Sequence, residues 1–215
     1  MKKIISLLVI LLLCGCSASV EEEEIITSLP KKTFPSSNLL SDSDIYPAIL
    51  DDYLFLENVM YVDTRDYLQF INEGSVAGFV NIPFYDIIVS LNEEDNGLYI
   101  MTKVEDGDKT YMLGEVGSFI PKYEESEEIV NALFPKDYDI VVLSTAGVES
   151  TYLLNLLAQL GYDYSRLYNA GGFSNSSVGY TAYRELEDSK YLVEHMELTG
   201  LTVNFNWDNL TPIEF

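Results

Sequence analysis

The chain has 215 residues, enough for one domain of ordinary size with extensions at its ends. Hydrophobic residues make up 47% and aromatics 13%, which sustains a packed core and excludes wholesale disorder. A formal net charge of −23 argues against a nucleic-acid binder and against adhesion to an anionic membrane surface. The two cysteines, Cys14 and Cys16, both lie at the extreme N-terminus, and His195 is the one histidine. That composition leaves no cysteine cluster for zinc, no multi-histidine metal site and no disulfide within the body of the chain. No cofactor is called for.

The N-terminus carries Lys2 and Lys3, then an unbroken apolar run from Ile4 to Leu13. Ten apolar residues at 1.5 Å each fall short of a bilayer core of roughly 30 Å, so the run reads as a signal-peptide core and not as a membrane span. Leu13-Cys14-Gly15-Cys16 resembles the lipobox of bacterial lipoproteins. The resemblance implies cleavage before Cys16, a diacylglyceryl group on its sulfur, and a mature chain held on the extracytoplasmic face of the cell membrane. An ordinary secretory signal with two incidental cysteines is the alternative. A lipid anchor of two or more chains holds firmly, at about 0.8 kcal/mol per buried CH₂.

Residues 16–45 are rich in Ser, Glu and Pro without a sustained period, which predicts a flexible acidic tether. The run Glu21 to Glu24 reads as a solvated, self-repelling spacer. A folded domain is expected over 46–190. Val59 to Val62 is β-prone and ends at Asp63. Asp66 is placed to cap a helix running to about Glu73, with Gly74 ending it. Val76 to Ile82 reads as extended, stopped by Pro83. An inserted β-hairpin is expected at about 97–117, with Asp106-Gly107 at its turn. Its acids do not fit a calcium loop in either glycine register, so turn chemistry accounts for them. Glu124 to Phe134 has a helical apolar face, and Pro135 ends it. Ile140 to Leu143 is a continuous apolar run typical of a strand buried on both faces. A helix follows, with Leu153, Leu154, Leu157 and Leu160 on one side and Gly161 at its end. Arg166 to Asn169 is one more strand, before Ala170-Gly171-Gly172. Residues 191–215 form a short extension, in which Leu201, Val203, Phe205 and Trp207 alternate as in a strand that packs on the domain. The expected class is α/β: a mostly parallel central sheet with helices on both faces, plus the hairpin and the extension.

Three segments, in order and spacing, resemble a rhodanese domain over about residues 55–175. Asp63 and Arg65 match its Asp-x-Arg, and Gly74, Gly78, Asn81, Ile82 and Pro83 match the segment that follows. Gly147 and Ser150 match its active loop, and the Gly-Gly turn at 171–172 matches its third element. The resemblance implies a rhodanese-like fold. It also puts Ser144 where the family has its sulfur-carrying cysteine, Ser75 where it has a histidine, and Glu149 where it has a loop arginine. A serine cannot form a persulfide, and its hydroxyl is far less acidic than a thiol, so sulfur transfer is excluded.

The degenerate loop is therefore Ser144, Thr145, Ala146, Gly147, Val148, Glu149 and Ser150. Ser144 as a nucleophile needs a base within reach, and no GxSxG elbow surrounds it. As a loop residue it hydrogen-bonds its own backbone instead. His195 reads as a surface or packed side chain, and Asp63 and Arg65 as structural polar groups near the loop. The loop opens a helix, whose free N–H groups favour anions. Glu149 brings an anion with the chain itself, which stabilises such a turn by about 0.3–1 kcal/mol and repels an incoming one. The expected function is a non-catalytic, membrane-tethered interaction module, binding a protein partner or small ligand and no nucleic acid. The 16 tyrosines suit an interface or plain packing. A solute-binding or sensor lipoprotein, and an enzyme of altered chemistry using Ser144, are the alternatives.

Overall fold

Ile140 to Leu143 is wholly buried, and the strand it forms lies inside a four-stranded sheet. The computed structural model describes residues 26–32, 44–90, 97–101, 104–106, 109–111, 118–176, 180–194 and 206–214. In chain order the elements are β1 (Val59–Asp63), α1 (Tyr67–Asn72), β2 (Ser75–Val76), β3 (Val80–Asn81) and β4 (Val89–Ser90). Next come β5 (Tyr99–Met101), β6 (Val104–Asp106), β7 (Lys109–Tyr111), β8 (Phe119–Pro121) and α2 (Ser126–Leu133). Then follow β9 (Asp139–Ser144), α3 (Val148–Gln159), β10 (Leu167–Gly172) and β11 (Leu192–Val193). The central sheet has the order β10-β9-β1-β3, and all of its pairings are parallel.

Alternation along the strands divides the core in two. Val62, Ile140, Val142 and Leu167 face a cluster closed by Val130 of α2 and the leucines of α3. Tyr61, Val141, Leu143, Tyr168 and Ala170 face a second cluster with Leu50, Leu54, Phe173 and Tyr183. The α/β class and the parallel sheet are as expected. The second face, however, is covered by the 3₁₀ segment Pro47–Tyr53 and by loops, with no α-helix there among the described residues.

Local chemistry sets the boundaries. Asp66 accepts a hydrogen bond from the Gln69 amide at 2.8 Å, an N-cap that starts α1, and Gly74 follows its end at φ +90°. The extended segment after it splits into β2 and β3 around a turn in which Gly78 takes φ +89°. Asp163 caps a 3₁₀ turn at Tyr164–Arg166, so β10 starts at Leu167 rather than Arg166 and runs on through the Gly-Gly pair. Ser126 joins α2 to the insertion, its hydroxyl donating to Leu98 O at 2.8 Å and accepting from Tyr123 N at 3.1 Å.

The insertion differs in register from expectation. Tyr99–Met101 pairs with Phe119–Pro121, beyond the span expected for the return strand, and with β4 in parallel. The tight hairpin is β6 against β7, with Asp106 opposite Lys109, so its connection is Gly107-Asp108 and falls outside the described residues. In the C-terminal extension the chain pairs β11 with β2, and Trp207 stacks on Tyr123 at 5.9 Å. Leu201, Val203, Phe205 and His195 lie outside the described residues, as do the expected signal segment, Cys14 and Cys16. Among the described residues no helix is long and apolar enough to cross a membrane.

Residues 26–32, expected to belong to the tether, lie against the domain. Leu29 packs on the second core cluster, and Tyr168 donates its hydroxyl proton to Pro30 O at 3.0 Å. Lys32 donates to Leu167 O and Tyr164 O and stands 3.9 Å from the Tyr164 ring centre. Burial pushes its ammonium down to about 8, against the pull of the Asp44 carboxylate.

Burial also pushes the phenols of Tyr85, Tyr99, Tyr162 and Tyr168 up to about 12. A phenol that keeps its proton longer folded than unfolded lends stability that is complete below the ordinary value of 10.0 and lost as pH rises through about 12. The expected result is a midpoint of urea unfolding that rises between about pH 8 and 10, as Lys32, which gives up its proton earlier folded than unfolded, stops costing stability, and that falls steadily above about 10 as the tyrosines titrate. A level profile to pH 12 would contradict it.

Candidate functional site

Asp63, Thr64 and Arg65 stand where β1 leaves the sheet, beside the C-terminal end of β9. Ligands of open parallel sheets are bound at this end of the strands. Thr64 ties the two strand ends together, its amide and hydroxyl donating to Leu143 O at 2.9 and 3.1 Å. Asn81 donates to Asp63 O and Arg65 O at 3.0 and 2.8 Å and fixes the turn between them.

Arg65 is engaged inside the protein and does not reach out. Its Nη2 donates to Asp63 at 2.7 Å and to Gly74 O at 2.8 Å. Its Nε donates to both Asp63 oxygens at 3.0 and 3.1 Å, and Nη1 faces Glu73 at 3.4 Å. The guanidinium lies 3.7 Å from the Phe173 ring centre. Both partners of the Asp63–Arg65 pair are fully buried at their side chains. Glu73 in turn accepts from the Ser174 hydroxyl.

The loop between β9 and α3 is held by its own atoms and by the turn after β10. Ser144 is fully buried, and its Oγ accepts from Gly147 N at 2.8 Å. Gly147 takes φ +84° at the N-cap of α3, a conformation that favours glycine. Its carbonyl accepts from Thr151 and Asn169. Ser144 O accepts from Phe173 N, and Thr145 O from Ser174 N and Asn175 N. Glu149 is in the first turn of α3. Glu149 Oε2 and Ser150 Oγ are buried with no hydrogen-bond partner among the described residues. Ser75, which the resemblance sets against a histidine, is a buried residue of β2 paired with Val193.

The close approach at Gly172 yields a direct test. A Cβ there would meet Asn175 O at 2.3 Å and Ala146 Cα at 2.9 Å, both backbone atoms that cannot swing aside. Gly172→Ala is expected to lower stability by about 1–3 kcal/mol through overpacking, read as a fall in the urea midpoint. A loss under about 0.5 kcal/mol, the range of an inert surface change, would show that the loop yields there.

Beside the loop lies a cavity of about 180 Å³, lined by residues that include Arg65, Asp66, Gln69, Tyr85, Asp86, Thr145 and Glu149. Sequence reading singled out Thr145, Glu149 and Arg65 near this place and treated Asp66 only as a helix cap. It did not find Gln69, Tyr85 or Asp86. Thr145 Oγ1 donates to Gln69 Oε1 at 3.3 Å, a contact between segments 76 residues apart for which no local signal exists.

The field in this cavity has one sign. Burial first, and then the Glu149 charge, push the Tyr85 phenol up to about 12. The same two causes raise Tyr152. Burial and the Asp66 carboxylate raise Asp86, and burial with Asp86 raises Tyr67. Three carboxylates line the cavity, and its one arginine is already neutralised by Asp63 and Glu73. An anion entering here meets no uncommitted cation among the described lining residues. No group of three His, Cys, Asp or Glu among the described residues has the geometry to hold a metal ion. No family model, no curated protein and no solved structure matches this chain.

Proposed function

We propose that this chain is a lipoprotein whose folded part is a rhodanese-like domain without catalytic function, serving as a membrane-tethered interaction module on the extracytoplasmic face. The rhodanese-like reading is supported by the Asp63-x-Arg65 strand end, the parallel sheet and the β9–α3 loop with its glycine at positive φ. The observation that carries the non-catalytic reading is the Ser144 hydroxyl. It is fully buried and its oxygen receives the Gly147 amide, so it stabilises the loop where a sulfur-carrying family member would hold a nucleophile. The acidic cavity beside it repels the anionic sulfur donors that the family uses.

What remains is recognition by surface and by the cavity, with no bond made or broken. The test is complementation in cells deleted for the chain. At equal abundance, Ser144→Ala is expected to support the cellular phenotype as well as wild type, and Cys16→Ser to fail. A null phenotype for Ser144→Ala at normal abundance would overturn the non-catalytic reading. Full function of Cys16→Ser would overturn the tethered one.

A further inference from the structure

The parallel sheet gives the domain two distinct ends. The β9–α3 loop and the acidic cavity occupy the C-terminal end of the strands. Residues 26–32 are fastened at the opposite, N-terminal end. Lys32 donates to Tyr164 O at 3.2 Å and to Leu167 O, the first residue of β10, at 2.5 Å. Tyr168, the next residue of β10, donates to Pro30 O, and Leu29 packs on the core beneath. Two backbone acceptors, an aromatic face, a tyrosine hydroxyl and an apolar socket therefore all engage one short segment. A charged donor on backbone carbonyls and over a ring is worth more than a neutral surface contact.

We propose that residues 26–32 are a strap that fixes which end of the domain faces the membrane. The inference rests on the reading of Cys16 as the lipid anchor. With the strap fastened, the twelve residues 17–28 separate Cys16 from Leu29, the first strap residue packed on the domain. Fully extended, they reach about 40 Å. Without the strap, the 27 residues between Cys16 and Asp44 have a contour more than twice as long. A short leash fixed at the N-terminal end of β10 keeps that end near the bilayer. The loop and the cavity then point away from it, toward whatever the domain binds. The acidic run Glu21 to Glu24 falls within this span, and anionic headgroups repel it.

The experiment uses the full lipidated chain in vesicles containing an acceptor-labelled lipid. A single dye is attached through Ser165→Cys, beside the strap, or through Asn175→Cys, beside the loop. Trypsin cleavage after Lys31 is followed. Energy transfer to the lipid is expected to be at least about two-fold greater from position 165, and cleavage after Lys31 is expected to be slow. In Leu29→Ser/Lys32→Met, that cleavage is expected to quicken about ten-fold while the urea midpoint of the domain stays nearly unchanged, and the dye difference is expected to vanish. Cleavage after Lys31 equally fast in wild type and the variant would overturn the strap. Slow cleavage with equal transfer from both dyes would overturn the orientation. If mass spectrometry finds no lipid on Cys16, the anchor reading fails and the orientation with it, whereas the strap is decided by the cleavage rates alone.

Discussion

Replacing Arg65 by methionine is expected to cost the fold about 3–5 kcal/mol, the range for breaking a buried ion pair from one side. Much of that cost comes from what is left behind. Asp63 is fully buried, and its side chain receives the Arg65 amide besides the guanidinium. With the guanidinium gone, a carboxylate stays in the interior with a single amide donor. Gly74 O loses its 2.8 Å donor, and Glu73 loses its cation. A domain with a total stability of about 5–15 kcal/mol would be left marginal. Arg65→Lys is expected to recover only part of the loss, because an ammonium cannot fork between Asp63 and Gly74 in one plane or stack on Phe173. The double change Asp63→Asn/Arg65→Met is expected to be less damaging than Arg65→Met alone, since it removes the stranded charge. Urea unfolding of the three variants measures all of this. A cost under about 1 kcal/mol for Arg65→Met would place the pair with exposed ion pairs and remove its role as the brace under the loop.

That brace shows how far local sequence signals reach. Asp63, Arg65, the Asp66 cap and Gly74 lie within a dozen residues, and each has a meaning that neighbours decide. The β1–α1 unit was therefore legible almost to its boundaries. The buried run of β9 and the leucine face of α3 were legible for the same reason, because burial on both faces or on one stripe leaves a period in the sequence. Features set across the chain were not legible. The strap is invisible locally, since Lys32 meets its acceptors more than 130 residues away and Ser/Pro-rich flanks suggest a free leash. The return strand of the insertion lies farther along the chain than expected because β-prone residues recur from Thr110 to Ile120, while pairing with β5 decides which residues close it. The second sheet face was expected to carry helix, yet Pro47 and the short run after it fold as a 3₁₀ segment that delivers Leu50 and Leu54 to the core. The acidic cavity is the clearest case. Asp66, Asp86 and Glu149 belong to three separate segments, and only the convergence of β1, the π-helical turn after Pro83 and α3 gives them a common field.

The same field governs what happens when a thiol is placed at position 144. In a chain with Cys14 and Cys16 changed to serine, Ser144→Cys is expected to show no sulfur transfer from thiosulfate. Its thiol is expected to titrate at or above the ordinary value of about 8.5. At position 144 the support for a negative charge is the Gly147 amide at 2.8 Å. Against it stand full burial of the site and the carboxylates of the adjoining cavity. Both disfavour a thiolate. Adding Glu149→Arg exchanges the nearest loop carboxylate for a cation at the first turn of α3. Alkylation of the thiol at pH 7 is then expected to quicken by about ten-fold or more, as the thiolate fraction rises. The pH profile of iodoacetamide labelling reads this directly, because a shift in midpoint separates electrostatics from mere access. If access alone were at fault, Glu149→Arg would raise the rate equally at every pH and leave the midpoint in place. If Ser144→Cys alone titrates well below the ordinary thiol value and transfers sulfur, the loop is an intact anion cradle that lacks only its nucleophile. The acidic cavity would then be a neighbour of the site and not the determinant of what it admits.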